Sequence, residues 1–160
     1  MRILSSPRRG DLLAFLTEGI PSLPQDQVYV KRIVGLPGER IEIRDGSVFA
    51  NGARLTERDG IPPIRFVTRA AVEQGDGAST DSYEVDREGY FVLGDNSTNS
   101  LDSRFFGCVP RQDVYGKVTA IYYPFSRAGR PRYPGDTATK ESQAPGSEKN
   151  QTSSAAGFRR

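Results

Sequence analysis

The chain has 160 residues, 36% apolar and 26% charged, the balance expected of one globular domain with a modest core. It contains no histidine and a single cysteine, Cys108, which excludes a Cys/His hydrolase, an intrachain disulfide and a Cys-rich metal cluster. The formal charge of +2 is uneven: Arg127–Arg160 holds seven basic and three acidic residues, so the positive excess belongs to the tail and does not mark a nucleic-acid-binding face.

In chain order, Asp11–Leu16, Gln27–Val34, Arg40–Ile43, Ser47–Ala50, Tyr90–Leu93 and Tyr115–Tyr123 read as short strands, because β-branched and aromatic residues alternate there between turn signals. Asp45-Gly46 marks a hairpin turn and Asn51-Gly52 a second one. Ile61–Asp81 is polar, contains proline and reads as a surface insertion, and Arg111–Val114 as a short helical turn. These elements predict a mainly β fold of antiparallel sheets forming a partly closed barrel over residues 1–126. Residues 127–160, rich in Gly, Pro, Ser, Thr and charge, carry too little apolar surface to offset the entropy of ordering and read as a disordered tail. No run of 18 apolar residues occurs, and the start lacks the apolar core of a secretory signal. Cys108, beside Gly107, reads as a small buried residue.

Two stretches carry the chemistry. In VYVKRIVGLPG, from Val28 to Gly38, a strand runs into a Gly/Pro turn with two cations at its centre. Side chains alternate along a strand, so Lys31 shares a face with Tyr29 and Ile33, and Arg32 shares the other with Val30 and Val34. At least one cation must lie among apolar neighbours. Two readings are open for Lys31: it snorkels to solvent, or it is held as a functional amine. Arg32 needs a carboxylate or carbonyls, and Asp95 is the candidate partner. In YFVLGDNSTNSLDSRFFG, from Tyr90 to Gly107, a strand is followed by a loop dense in Asp, Asn and Ser, whose short polar side chains can build a rigid turn from local backbone bonds.

With RGDLLAF at Arg9–Phe15, YVKRIVGLPGERIEIRDG at Tyr29–Gly46, NGARL at Asn51–Leu55, GDNSTNSLDSRFFG at Gly94–Gly107 and VPRQDVYGKV at Val109–Val118, the sequence resembles type I signal peptidase. That family consists of membrane-bound endopeptidases with a Ser/Lys dyad. The resemblance implies Lys31 as general base, Arg32 as the basic residue after it, Ser100 as the hydroxyl that orients the amine, and Asp102 and Arg104 as an ion pair bracing the loop. It implies exported preproteins as substrates, cut after small residues at the outer face of the cytoplasmic membrane. An extended substrate would dock at Val28, Tyr29 and Val30. It implies no metal and no organic cofactor.

Two departures stand out. Ser97-Thr98 occupy positions where the family usually carries Arg-Asp. The Ser-Met-x-Pro-Thr segment that holds the family's nucleophile, and the membrane helices beside it, have no counterpart; Ser5 and Ser6 precede Pro7 but lack the following Pro-Thr. The expectation is therefore a lysine-bearing portion of a signal peptidase, inactive by itself. Lysine suits the role of base only under desolvation. Its free pKa of about 10.4 keeps it protonated at neutral pH, and burial disfavours the charged form. A neutral amine can take a serine proton and, once protonated, give it to the leaving amine.

Overall fold

The structure, a computed structural model, describes residues 6–75, 80–120 and 129. The chain runs through β1 (Leu12–Leu16), β2 (Val28–Gly35), β3 (Arg40–Arg44), β4 (Ser47–Ala50) and β5 (Ala53–Arg54). It then passes a 3-10 turn at Glu57–Asp59 and helix α1 (Arg69–Gln74) before β6 (Asp81–Glu84) and β7 (Gly89–Leu93). The last elements are helix α2 (Ser103–Phe106), β8 (Val109–Pro110), a 3-10 turn at Arg111–Asp113 and β9 (Val114–Lys117).

The strands named pair antiparallel, in a five-stranded sheet of order β8-β7-β2-β1-β9 and a four-stranded sheet of order β5-β4-β3-β6. The mainly β architecture is the expected one. The expected antiparallel sheets are present, and among the described residues neither closes fully on itself. The hairpin turns are built as read: Asp45, Gly46, Asn51 and Gly52 all have positive φ, which Asn, Asp and Gly adopt most readily.

Tertiary packing follows strand alternation. On β7, Phe91 and Leu93 enter a core between the two sheets with Val34, Ile41, Ile43 and Val48. Tyr90 and Val92 point the other way, into a second core with Leu13, Phe15 and Ile33. β7 is thus buried on both faces, and a near-continuous apolar run is the sequence signature of such a strand.

The short elements departed from expectation. β6 and α1 overlap the segment Ile61–Asp81 that reads as an insertion, and α1 is a single capped helix of six residues whose N-cap, Thr68, accepts from the Ala71 N–H. The last strand covers Val114–Lys117 and leaves its sheet before residue 120, while the expected continuation to Tyr123 and almost all of the tail at 127–160 lie outside the described residues. Cys108 is half-buried rather than buried; it packs beside the inter-sheet core, and burial pushes its thiol pKa up.

Candidate active site

β2 is divided along its length. Its first half pairs with β1, Leu13 lying opposite Lys31, and its pairing with β7 starts only at Arg32, opposite Leu93. Val28 and Val30 are 57% and 48% exposed, whereas Arg32 to Gly35 are all buried. Lys31 sits at the boundary, on the face that leads through Ile33 and Leu13 into the second core. Alternation thus places a lysine stem against apolar side chains just before the β7 pairing begins.

The loop after β7 brings the amine a partner. Lys31 Nζ donates to Ser100 Oγ at 3.0 Å, across 69 positions of sequence, and lies 5.9 Å from the centre of the Tyr29 ring. Among the described residues Ser100 is the hydrogen-bond partner of that amine. Gly94 makes the approach possible: a Cβ there would stand 2.1 Å from Ser100 Oγ and 3.6 Å from Lys31 Nζ, so the hydroxyl occupies space that any side chain would take. Burial pulls the Lys31 pKa down; Asp102 raises it and Arg104 lowers it, and the balance lies below the ordinary lysine value.

Asp102 and Arg104 lie fully inside. Both guanidinium contacts of Arg104 on Asp102 are good hydrogen bonds, Nε to Oδ1 at 2.8 Å and NH2 to Oδ2 at 2.9 Å. Asp102 is also the N-cap of α2, accepts the Gly94 N–H at 3.0 Å, and so ties the end of β7 to the start of the helix. Ser103 adds a second tie by accepting the Val92 N–H at 2.9 Å. A four-residue helix has little stability of its own, and these bonds hold it in place.

On the other face, Arg32 forks onto Asp95, Nε to Oδ1 at 2.8 Å and NH2 to Oδ2 at 2.7 Å, while its NH1 donates to the Gly10 carbonyl at 2.6 Å. The sequence-predicted residues Lys31, Ser100, Asp102, Arg104, Arg32 and Asp95 are therefore brought into two adjoining clusters at the β2–β7 junction. Val28, Tyr29 and Val30 lie just before Lys31, ahead of the part of β2 that pairs with β7. Of the two serines near the start, Ser6 is exposed and Ser5 is outside the described residues. Sequence reasoning missed Gly94, Ser97 and Ser103 as parts of the construction. The GDN and DSR letters were visible, but the need for them appears only once the partner groups are placed.

The model of the family "Signal peptidase, peptidase S26" matches residues 1–123. The chain belongs to that family. It is 34% identical over 128 residues to "Signal peptidase I" of Leptolyngbya laminosa, which covers 77% of this chain and 56% of that protein. It is 34% identical over 105 residues to "Signal peptidase I S" of Bacillus subtilis, covering 63% of this chain and 55% of that one. A crystal structure of a signal peptidase I from Enterococcus faecalis superposes with a TM-score of 0.52 at 32% identity, over 74% of this chain and all of that one. The chain thus spans about half the length of the curated signal peptidases it matches. Among the described residues no helix is long and apolar enough to cross a membrane, and no cluster of His, Cys, Asp and Glu suited to a metal ion occurs.

Proposed function

We propose that this chain supplies the lysine-bearing part of a Ser/Lys endopeptidase that removes signal peptides from exported preproteins at the outer face of the cytoplasmic membrane. The observation that carries the reading is the half-buried Lys31 amine, 3.0 Å from Ser100 Oγ, with its pKa lowered by desolvation. In this reading the neutral amine takes the proton of a serine hydroxyl as that oxygen attacks the scissile carbonyl. The resulting ammonium then protonates the leaving amine, and a water molecule repeats the cycle on the acyl-enzyme. Ser100 orients the amine; Asp102 and Arg104 brace Ser100. Arg32 and Asp95 fix the neighbouring turn of chain. The preprotein lies extended along Val28, Tyr29 and Val30, which precede the part of β2 that pairs with β7 and where the two valines are exposed.

The test is preprotein cleavage by the full-length gene product in phospholipid vesicles. Lys31→Met is expected to cost about 10²–10⁴ in rate, the usual contribution of a general base, and to leave binding of an extended peptide intact. Cleavage that survives this change would remove Lys31 from the chemistry. Peptide binding without any lysine-dependent cleavage would make the chain a binding β-module instead.

A further inference from the structure

Ser97 stands where the resemblance leads one to expect arginine, and it is buried. Its hydroxyl accepts the Val67 N–H at 3.0 Å and its carbonyl accepts from Arg104 NH2 at 2.8 Å. Arg104 NH1 donates to the Val67 carbonyl at 2.8 Å and passes 3.4 Å from Ser97 Oγ. Both main-chain polar groups of Val67 are therefore taken up by the loop that carries Ser100, the N–H by Ser97 and the C=O by Arg104. Val67 is itself a fixed point, because the adjacent Phe66 is buried in the inter-sheet core and its N–H donates to the Gly46 carbonyl at 3.0 Å. A short hydroxyl at position 97 is what lets the loop settle on this segment.

We propose that Ser97 is a positioning residue for the Lys31–Ser100 pair: by pinning Val67 it creates the carbonyl anchor that holds the Arg104 guanidinium flat on Asp102. The proposal rests on the base role given to Lys31 above. Asp102 and Arg104 are the charged groups that act on the amine, with opposite signs, while β1 presents Leu13 and β2 presents the Tyr29 ring. The field at Lys31 therefore depends on how closely the guanidinium is kept against the carboxylate. Ser97→Ala leaves the part-buried Val67 N–H without its acceptor, a penalty that the segment relieves by moving toward water. A guanidinium that swings away and water that enters both favour the ammonium form, so both effects push in one direction.

The experiment follows each lysine Cε by carbon-13 NMR in the purified chain as pH is raised. The sequence holds four lysines, and Lys31→Met assigns the Lys31 signal. In the unsubstituted chain Lys31 is expected to titrate below an ordinary lysine; Ser97→Ala should move it up toward the ordinary value, and Ser97→Thr should restore it. A folded Ser97→Ala protein whose Lys31 titrates as before overturns the positioning role and leaves the base reading standing. An ordinary Lys31 titration in the unsubstituted chain overturns the base reading itself, and the positioning role with it. Should Ser97→Ala not fold, Ser97→Cys carries the same test, because the thiol keeps the volume and weakens the acceptor; its Lys31 must titrate above that of the unsubstituted chain for the proposal to stand.

Discussion

The two sheets carry their charges in opposite ways. The four-stranded sheet keeps its ion pairs outside: Arg40 reaches Glu42 and Glu84, and Arg44 reaches Glu42, from side chains that are mostly well exposed. At the junction of β2 and β7 in the five-stranded sheet the charges go inside, with Asp102 0% and Arg104 2% exposed. Burying an ion costs several kcal/mol unless each remaining donor and acceptor is satisfied, and an apolar replacement of the same volume is commonly as stable. Stability alone gives no reason to place a carboxylate and a guanidinium there. The function proposed for Lys31 does give one: a lysine held desolvated and aimed at Ser100 would need a rigid, fully bonded pair that fixes the loop without admitting water. The exposed pairs decorate a sheet whose core already holds it, while the buried pair ties the end of β7 to the start of α2.

The sharpest way to break that contrast is Asp102→Ala. It leaves the buried Arg104 guanidinium without its carboxylate, the Gly94 N–H without an acceptor and α2 without its cap. The expected loss is about 3–5 kcal/mol in denaturant unfolding, the range for stranding one member of a buried pair. A loss near that of a surface change would mean that the pair is wet and the site loosely built. Next comes Gly94→Ala. The added methyl meets Ser100 at both Oγ and Cβ, closer than any real contact. Overpacking of this kind costs about 1–3 kcal/mol. The displacement falls on the hydroxyl that holds Lys31, so lysine-dependent cleavage should fall by more than the stability change accounts for. Equal losses in both would make Gly94 a packing residue only.

A third pair of changes compares the sheets directly. Asp95→Ala removes two charge-assisted bonds from the buried Arg32, which among the described residues keeps the Gly10 carbonyl. Bonds to charged groups contribute about 1.5–3 kcal/mol, and Asp95 is itself 46% exposed, so the lower end of that range is expected. Glu84→Ala, which deletes an exposed partner of Arg40 at 3.6 Å, should change stability by less than about 0.5 kcal/mol. Similar losses for the two would erase the distinction between them.

How much of this was legible in the sequence depends on range. The alternation in Leu12–Leu16 and Val28–Gly35 and the Asp45-Gly46 and Asn51-Gly52 turns are local signals, and they placed five strands correctly. β5 and β8 have two residues each, too few for any period to show, and β6 reads DSYE, whose polar letters contradict strand propensity. Pairing with β3 holds β6 in the sheet, and that information lies in another strand. In the site, Lys31 was conspicuous because a cation interrupts an apolar face. Ser97 was not, because one serine in an Asn/Asp/Ser-rich loop carries no mark of its bond to the main chain of residue 67, thirty positions earlier. How far the two sheets curl is likewise not a local property: strand count and turn chemistry are local, but closure depends on register and edges.

The smallest expected effect tests the desolvated amine without any substrate. Burial places the Lys31 pKa in the folded chain below its unfolded value of about 10.4. Between those two values the unfolded chain binds more protons than the folded one, so stability rises with pH across that window. Below the window both states hold the proton, and the folded chain bears the cost of a half-buried ammonium; above it neither state does, and the cost is gone. Lys31→Met removes the titration. The stability difference between unsubstituted chain and variant should therefore move in favour of the unsubstituted chain as pH is raised through the window, while tyrosine and Cys108 titrations, common to both proteins, cancel. Denaturant midpoints of the two proteins at several pH values measure it. A difference that moves the other way would mean that Asp102 outweighs burial and holds Lys31 as an ammonium, and such a group cannot take a proton from serine at neutral pH.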